Sequence, residues 1–284
     1  MSAVPAEIGV LGGGRMGAGI AHAFLLAGSR VTIVERDAAA ADRARGAVEA
    51  YVARSVERGA TERSADELTA MLSVSSDRTA LAVCELVVEA LPEDRSVKLR
   101  MLGDTETLLH PDAVLATNTS SISIDALAGG LARPQRFLGL HFFNPVPASA
   151  LVEIVTGEAT DPTVVAAARG WVEGIGKTPI VVRDRPGFAS SRLGVALGLE
   201  AIRMLEEGVA DAADIDAAMV LGYRHPVGPL RTTDLVGLDV RLGIAEELHA
   251  ELGERFAPPD LLRRMVADGH LGRKSGRGFY EWSE

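Results

Sequence analysis

Residues 8–27 read IGVLGGGRMGAGIAHAFLLA, and this stretch decides the fold. Ile8–Leu11 is a short apolar run of the kind that makes a buried strand. It passes directly into Gly12, Gly13, Gly14, Arg15, Met16 and Gly17, and an apolar helical stretch follows over Ala18–Ala27. The glycines at 12, 14 and 17 form the pattern G-x-G-x-x-G between a strand and a helix. Gly12 allows the tight turn, Gly14 lets the backbone approach a pyrophosphate, and Gly17 allows close packing of helix on strand. The helix start then offers unpaired N–H groups and the positive end of its dipole to phosphates. Arg15 and Met16, inside the turn, join the cofactor-binding set. The second strand-like run, Arg30–Glu35, ends in an acid 23 residues after Gly12, close to the spacing of about 20 expected for a ribose-binding carboxylate. Glu35 would accept both ribose hydroxyls and repel a 2′-phosphate, which favours NAD over NADP. Arg36 beside it is the one feature that would suit a 2′-phosphate.

Outward from this unit, β-branched runs alternate with amphipathic stretches. Leu72–Val74, Leu86–Glu89, Val114–Thr117 and Phe137–His141 read as further strands. They are too apolar for a half-exposed sheet and predict buried parallel strands with helices on both faces. The fold expected is a Rossmann-type, doubly wound, mostly parallel α/β sheet. The long connection 38–71, with charges at Arg43, Glu49, Arg54, Glu57 and Arg58, reads as two exposed helices forming an arm, broken near Gly59–Thr61. VVRDRPG at 181–187 marks a boundary, because charges, proline and glycine close a strand there. Beyond it strands disappear. Helical stretches are expected at about 188–207, 212–221, 228–252 and 258–267, so the expected domains are 1–184 and an all-α unit 185–284.

The 284 residues carry a net charge of −10, which argues against a nucleic-acid partner. No apolar run reaches the roughly 20 residues of a membrane span, and the N-terminus has no signal-peptide pattern. The single cysteine, Cys84, makes an intrachain disulfide impossible and fits a reducing cytoplasm; in CELVVEA it reads as a buried, inert thiol. No spaced Cys, His and carboxylate set suggests a metal site.

LGLHFFNPVPASALVEIV at 138–155 carries the chemistry. It reads as strand, turn, strand, with His141 ending the first strand and Glu153 inside the second. If they meet, they make a general base with its orienting carboxylate. The plainer reading leaves Glu153 facing solvent on an edge strand and His141 a satisfied loop residue. His22, on the first helix, reads as a packing residue rather than a ligand.

With these segments placed, the chain resembles the L-3-hydroxyacyl-CoA dehydrogenase family, most closely its bacterial 3-hydroxybutyryl-CoA dehydrogenases. The resemblance runs in order through GVLGGGRMGAGIA, VVEALPED (87–94), ATNTSSISI (116–124), GLHFFNPVPASALVEIV (139–155), DRPGF (184–188), GYRHPVGPLRTTDLVGLD (222–239) and LGRKSGRGFYEW (271–282). It implies an NAD-dependent oxidation of (S)-3-hydroxyacyl-CoA to 3-ketoacyl-CoA, in a cleft between the two domains, by a homodimer formed through the C-terminal helices. Carried over by motif, His141 is the catalytic base and Glu153 its partner. Ser120 bonds the substrate oxygen. Glu93, Lys98, Asn144 and Lys274 contact the cofactor. Arg58, with Tyr51 in a position usually small and polar, falls at the CoA contacts. The pattern departs where the family has asparagine in PGF-x-x-N-R: here Ser191, a shorter side chain with one donor, takes the asparagine's catalytic place beside Ser120 at the substrate oxygen. That departure keeps open a hydroxyacyl group on another carrier or a free hydroxy acid as substrate. A non-enzymatic NAD-binding protein is a further alternative, disfavoured by the presence of His141, Glu153 and Ser120 together.

Overall fold

The computed structural model describes residues 4–282. The chain divides into two compact units, Met1–Asp184 and Arg185–Glu284.

The first unit is built on one eight-stranded sheet. Its strands are β1 (Glu7–Leu11), β2 (Arg30–Val34), β3 (Leu72–Ser75), β4 (Leu86–Glu89), β5 (Val114–Thr117), β6 (Phe137–Phe142), β7 (Leu151–Thr156) and β8 (Thr178–Arg183). Their order across the sheet is β3-β2-β1-β4-β5-β6-β7-β8. The first six are parallel, β7 runs antiparallel to β6, and β8 is parallel to β7. The order reverses between β1 and its two neighbours β2 and β4, so the crevice at the carboxyl end of β1 is where a doubly wound sheet binds its ligand. Near-continuous apolar runs explain the burial: every residue of β4, β5 and β6 is buried.

Helix α1 (Arg15–Leu26) packs Ile20, Phe24 and Leu25 into the sheet core. The arm expected as two exposed helices consists of α2 (Ala38–Glu57) and α3 (Ala65–Ala70). It is not free-standing. Ala40, Ala41, Ala44, Val48 and Val52 form a buried stripe at helical spacing, and Val48 and Val52 belong to the same core as α1. The charged residues that suggested exposure occupy only the opposite face. Helices α4 (Arg95–Glu106), α5 (Ile124–Ala128) and α6 (Pro162–Gly174) complete the unit.

The second unit has its own apolar core, including Val195, Leu199, Ile202, Leu230, Leu238, Ala245 and Leu262. It contains α7 (Ser190–Glu206), α8 (Ala212–Tyr223), α9 (Pro229–Val236), α10 (Leu238–Leu252) and α11 (Asp260–Ala267). The stretch expected as one helix over 228–252 is therefore two. Gly237 separates them at φ +105°, a conformation that a side chain rarely adopts. No helix among the described residues is long and apolar enough to cross a membrane.

Candidate active site

The cofactor cradle is shaped by backbone contacts. Gly12 has φ +95°, and its N–H donates to Val34 O at 2.9 Å, carrying the β1–β2 ladder up to the start of the turn into α1. A Cβ on Gly17 would lie 1.8 Å from Gly12 O, so helix and turn meet at a distance only glycine permits. A Cβ on Gly14 would meet nothing within 4 Å, and no side chain caps the start of α1. Backbone donors and a positive dipole end thus face open space, as a pyrophosphate requires. The cavity beside them, about 690 Å³, is lined by Arg15, Met16, Glu35 and Arg36 among others. Glu35 accepts from Gly13 N at 2.7 Å and from Arg36 N at 3.1 Å, which fixes the carboxylate against the turn. Arg36 Nε donates to Asp37 at 3.1 Å, and Asp37 also caps α2 through Ala40 N. Both Glu35 and Arg36 line the cavity, and the arginine that would suit a 2′-phosphate is paired there with Asp37.

On β6 and β7, His141 and Glu153 are direct cross-strand partners. Their side chains share one face of the sheet, and His141 Nδ1 donates to Glu153 Oε2 at 2.7 Å. An ionised carboxylate only accepts, so this bond holds a proton on Nδ1 and leaves Nε2 as the ring's other nitrogen. Both residues are buried, and the Phe143 ring lies tilted against the imidazole at 4.5 Å. The turn between the strands is pinned by Lys177, whose ammonium donates to Val146 O at 2.7 Å and Ser149 O at 2.5 Å.

A second network supports Ser120. One oxygen of Glu93 accepts from Thr119 Oγ1 (2.5 Å), Ser120 N (2.9 Å), Ser120 Oγ (3.3 Å) and Ser121 N (3.3 Å). Burial raises the Glu93 carboxyl, but the nearby Lys98 ammonium and these hydrogen bonds outweigh it and hold it below the usual range. Lys98 lies 3.3 Å from the other Glu93 oxygen and is itself only 1% exposed. Its ammonium also reaches both oxygens of Glu89 (2.7 and 3.0 Å) and Leu91 O (3.2 Å). Glu89, fully buried at the end of β4, takes Thr117 Oγ1 at 2.5 Å and Leu91 N at 2.5 Å as well. Sequence reading passed over Glu89 and Thr117. The available signal was a carboxylate closing an otherwise apolar strand, which cannot be buried unpaired. Finally, Asn118 Oδ1 accepts from Phe142 N at 2.8 Å and ties the Ser120 loop to the strand that carries His141.

The remaining expected residues are more scattered. Asn144 is exposed in the turn after β6. Tyr51 is half-buried on α2, packed on the core with its ring 5.6 Å from His22. Arg58 is exposed where α2 ends. Ser191 lies in the first turn of α7, and Lys274, in the C-terminal segment, pairs with Asp239 at 2.6 Å. His22 is a packing residue: buried, and bonded to Ser55 at 2.8 Å. The Cys84 thiol is buried and pushed up to about 12, by burial first and by the charges of Glu7 and Glu85 second.

Residues 7–185 match the family model "3-hydroxyacyl-CoA dehydrogenase, NAD binding domain" and residues 187–282 match "3-hydroxyacyl-CoA dehydrogenase, C-terminal domain". A 3-hydroxybutyryl-CoA dehydrogenase of Mycobacterium tuberculosis is 43% identical over 286 residues, covering 99% of this chain and all of the relative. A probable 3-hydroxybutyryl-CoA dehydrogenase of Deinococcus radiodurans is 39% identical, covering 97% of this chain and all of the relative. The crystal structure of (S)-3-hydroxybutyryl-CoA dehydrogenase from Ralstonia eutropha matches with a TM-score of 0.94 at 38% identity, over 99% of this chain and all of that one. A glycine cradle that takes NAD, a sheet of this order and full-length matches to both domains lead to one conclusion: the chain belongs to the 3-hydroxyacyl-CoA dehydrogenase family.

Proposed function

We propose that this NAD-dependent (S)-3-hydroxyacyl-CoA dehydrogenase uses His141 as its proton-transfer group, Glu153 as the orienting carboxylate and Ser120 as the group that holds the substrate oxygen. The observation that carries this reading is the buried His141–Glu153 hydrogen bond, 2.7 Å long, on a strand tied to the Ser120 loop through Asn118. With Nδ1 committed to Glu153, Nε2 accepts the proton of the 3-hydroxyl in oxidation and returns it in reduction. Glu153 stabilises the imidazolium formed in between. Bound NAD supplies the hydride acceptor. Glu35, Arg15, Met16 and the glycines 12, 14 and 17 hold it, and Glu93 and Lys98 act on its nicotinamide end by shaping the loop at 119–121. Asn144 and Lys274 complete the cofactor contacts, Tyr51 and Arg58 meet the CoA, and Ser191 joins Ser120 at the substrate oxygen. Short acyl chains, as in the names of the curated relatives, are the substrates proposed, with a homodimer in the cytoplasm as the working form.

The test is His141→Gln, assayed with acetoacetyl-CoA and NADH. Turnover is lost while NADH binding, followed by fluorescence, persists. Undiminished turnover would remove His141 from the mechanism.

A further inference from the structure

The cavity beside the glycine turn holds more positive charge than NAD calls for. Arg15, Arg36, Arg78 and Arg100 all line it, and Glu35 is the only acid among its lining residues. Arg15, at the start of α1, stands where a pyrophosphate docks. The other three come from separate elements: Arg36 follows β2, Arg78 lies just beyond β3, and Arg100 is on α4.

Two of these leave the sheet side by side. β2 and β3 are parallel neighbours with Val34 opposite Ser75, and Glu35 N donates to Ser75 O at 2.9 Å. Arg36 therefore emerges beside Ser76 and Arg78, and all three line the cavity next to Glu35. In a doubly wound fold the ribose 2′ position lies at the acid that closes the second strand, and an arginine nearby accommodates a 2′-phosphate. The fork of a guanidinium matches two phosphate oxygens, and a serine hydroxyl can donate to a third. Neither arginine is used up by its present partner. Arg36 donates to Asp37 through Nε, with side chains 78% and 51% exposed, and Arg78 donates to Asp104 through Nη1, with side chains 39% and 50% exposed. Exposed pairs of this kind hold weakly, and a guanidinium with five N–H donors keeps others for a phosphate. Glu35 opposes such a group, yet each of its oxygens already accepts a backbone N–H, one from Gly13 and one from Arg36.

We propose that this cavity takes NADP(H) as a second cofactor beside NAD(H), with the 2′-phosphate held by Arg36, Ser76 and Arg78. All three residues belong to the first unit, as does the glycine cradle. The hydride chemistry is the same with either nucleotide, and only the adenosine end differs. The guanidiniums offset the repulsion that Glu35 exerts on the phosphate, so the two cofactors serve the enzyme with similar efficiency.

Two measurements on the full-length protein test this. In the first, acetoacetyl-CoA is reduced with NADH or with NADPH. The two kcat/KM values are expected within about tenfold of each other, and Arg36→Ala should lower the NADPH value by about tenfold or more, the range of a hydrogen bond to a charged group, while the NADH value holds. A wider gap in the unaltered protein, or a gap that Arg36→Ala leaves unchanged, overturns the proposal. The second measurement needs no turnover. It titrates 5′-AMP and 2′,5′-ADP, which differ only in the 2′-phosphate, against the fluorescence of bound NADH. Their Kd values are expected within about tenfold of each other in the unaltered protein, with 2′,5′-ADP alone weakened in Arg36→Ala and the more sensitive of the two to added salt. Discrimination against 2′,5′-ADP beyond about tenfold, or equal weakening of both ligands in the variant, overturns the proposal. If neither nucleotide supports turnover while 2′,5′-ADP still binds through Arg36, the dehydrogenase reading fails and the phosphate site stands.

Discussion

Glu153 and Glu89 are both fully buried carboxylates, and their partners give them opposite kinds of consequence. In the proposed mechanism Glu153 faces an imidazole whose charge changes during the reaction. Glu153→Gln keeps the shape but withdraws the negative charge opposite the imidazolium. It should lower kcat by about a hundredfold or more while the Kd for NADH stays within a few-fold, as steady-state kinetics and fluorescence titration will show. Glu89 faces the Lys98 ammonium, which takes no part in the proposed proton transfer. Glu89→Gln leaves Lys98 with only part of its counter-charge in a dry site, and loss of one partner of such a pair typically costs about 3–5 kcal/mol. Urea unfolding should show that loss, and Lys98→Met added to Glu89→Gln should recover part of it. Cys84 makes a third residue-level case. Because its thiol is raised to about 12, it stays protonated at neutral pH and out of contact with water. A thiol-specific reagent should leave it unmodified in the native protein and label it stoichiometrically in urea.

At the scale of elements, the β1–α1 junction was the most legible, because its three glycines answer steric demands that no other residue meets. Gly17→Ala places a methyl group 1.8 Å from a carbonyl oxygen. The turn must shift, and NADH affinity should fall more than tenfold in titration while the far-ultraviolet circular dichroism remains that of the folded chain. The strands were legible for a related reason: a strand buried on both faces leaves an unbroken apolar run. Their pairing with chemistry was legible only where sequence separation is small, as for His141 and Glu153 across one turn. The network around Lys98 was not. Its members Glu89 and Thr117 end adjacent parallel strands joined by a helical crossover, so nothing in local sequence brings them together. Arg241, buried on α10 against Gly194 and Gly198 of α7, was hidden in the same way. On a helix an arginine ordinarily reads as surface, and only the glycines of another helix reveal that it is covered. The split between α9 and α10 needed the positive φ of Gly237, which sequence periodicity does not register.

For the whole molecule, stability should carry the mark of His22. Burial first, and the charge of Lys177 second, lower this imidazole to about 4 from an ordinary 6.5. The unfolded chain therefore binds a proton there at a pH where the folded chain does not. Stability should decline as pH falls from about 6.5 towards 4, by on the order of 2–3 kcal/mol. His22→Gln should flatten that part of the curve when unfolding free energy is measured across pH. Each unit also has its own apolar core, and the glycine cradle and Glu35 lie wholly in the first. Residues 1–184 produced alone should bind NADH with a Kd within about tenfold of the full chain; a larger loss would point to Lys274. The reversal of β7 has a further meaning for how this protein assembles. Because β7 turns back along β6, the hydrogen-bonded pair His141 and Glu153 spans only twelve positions of chain, whereas Ser120 and Glu93 are 27 apart and joined through a crossover. Contacts between near neighbours form with less loss of chain entropy than distant ones. A newly made chain thus closes the hairpin of β6 and β7 with little loop to order, and the contacts around Ser120 and Glu93 are completed afterwards.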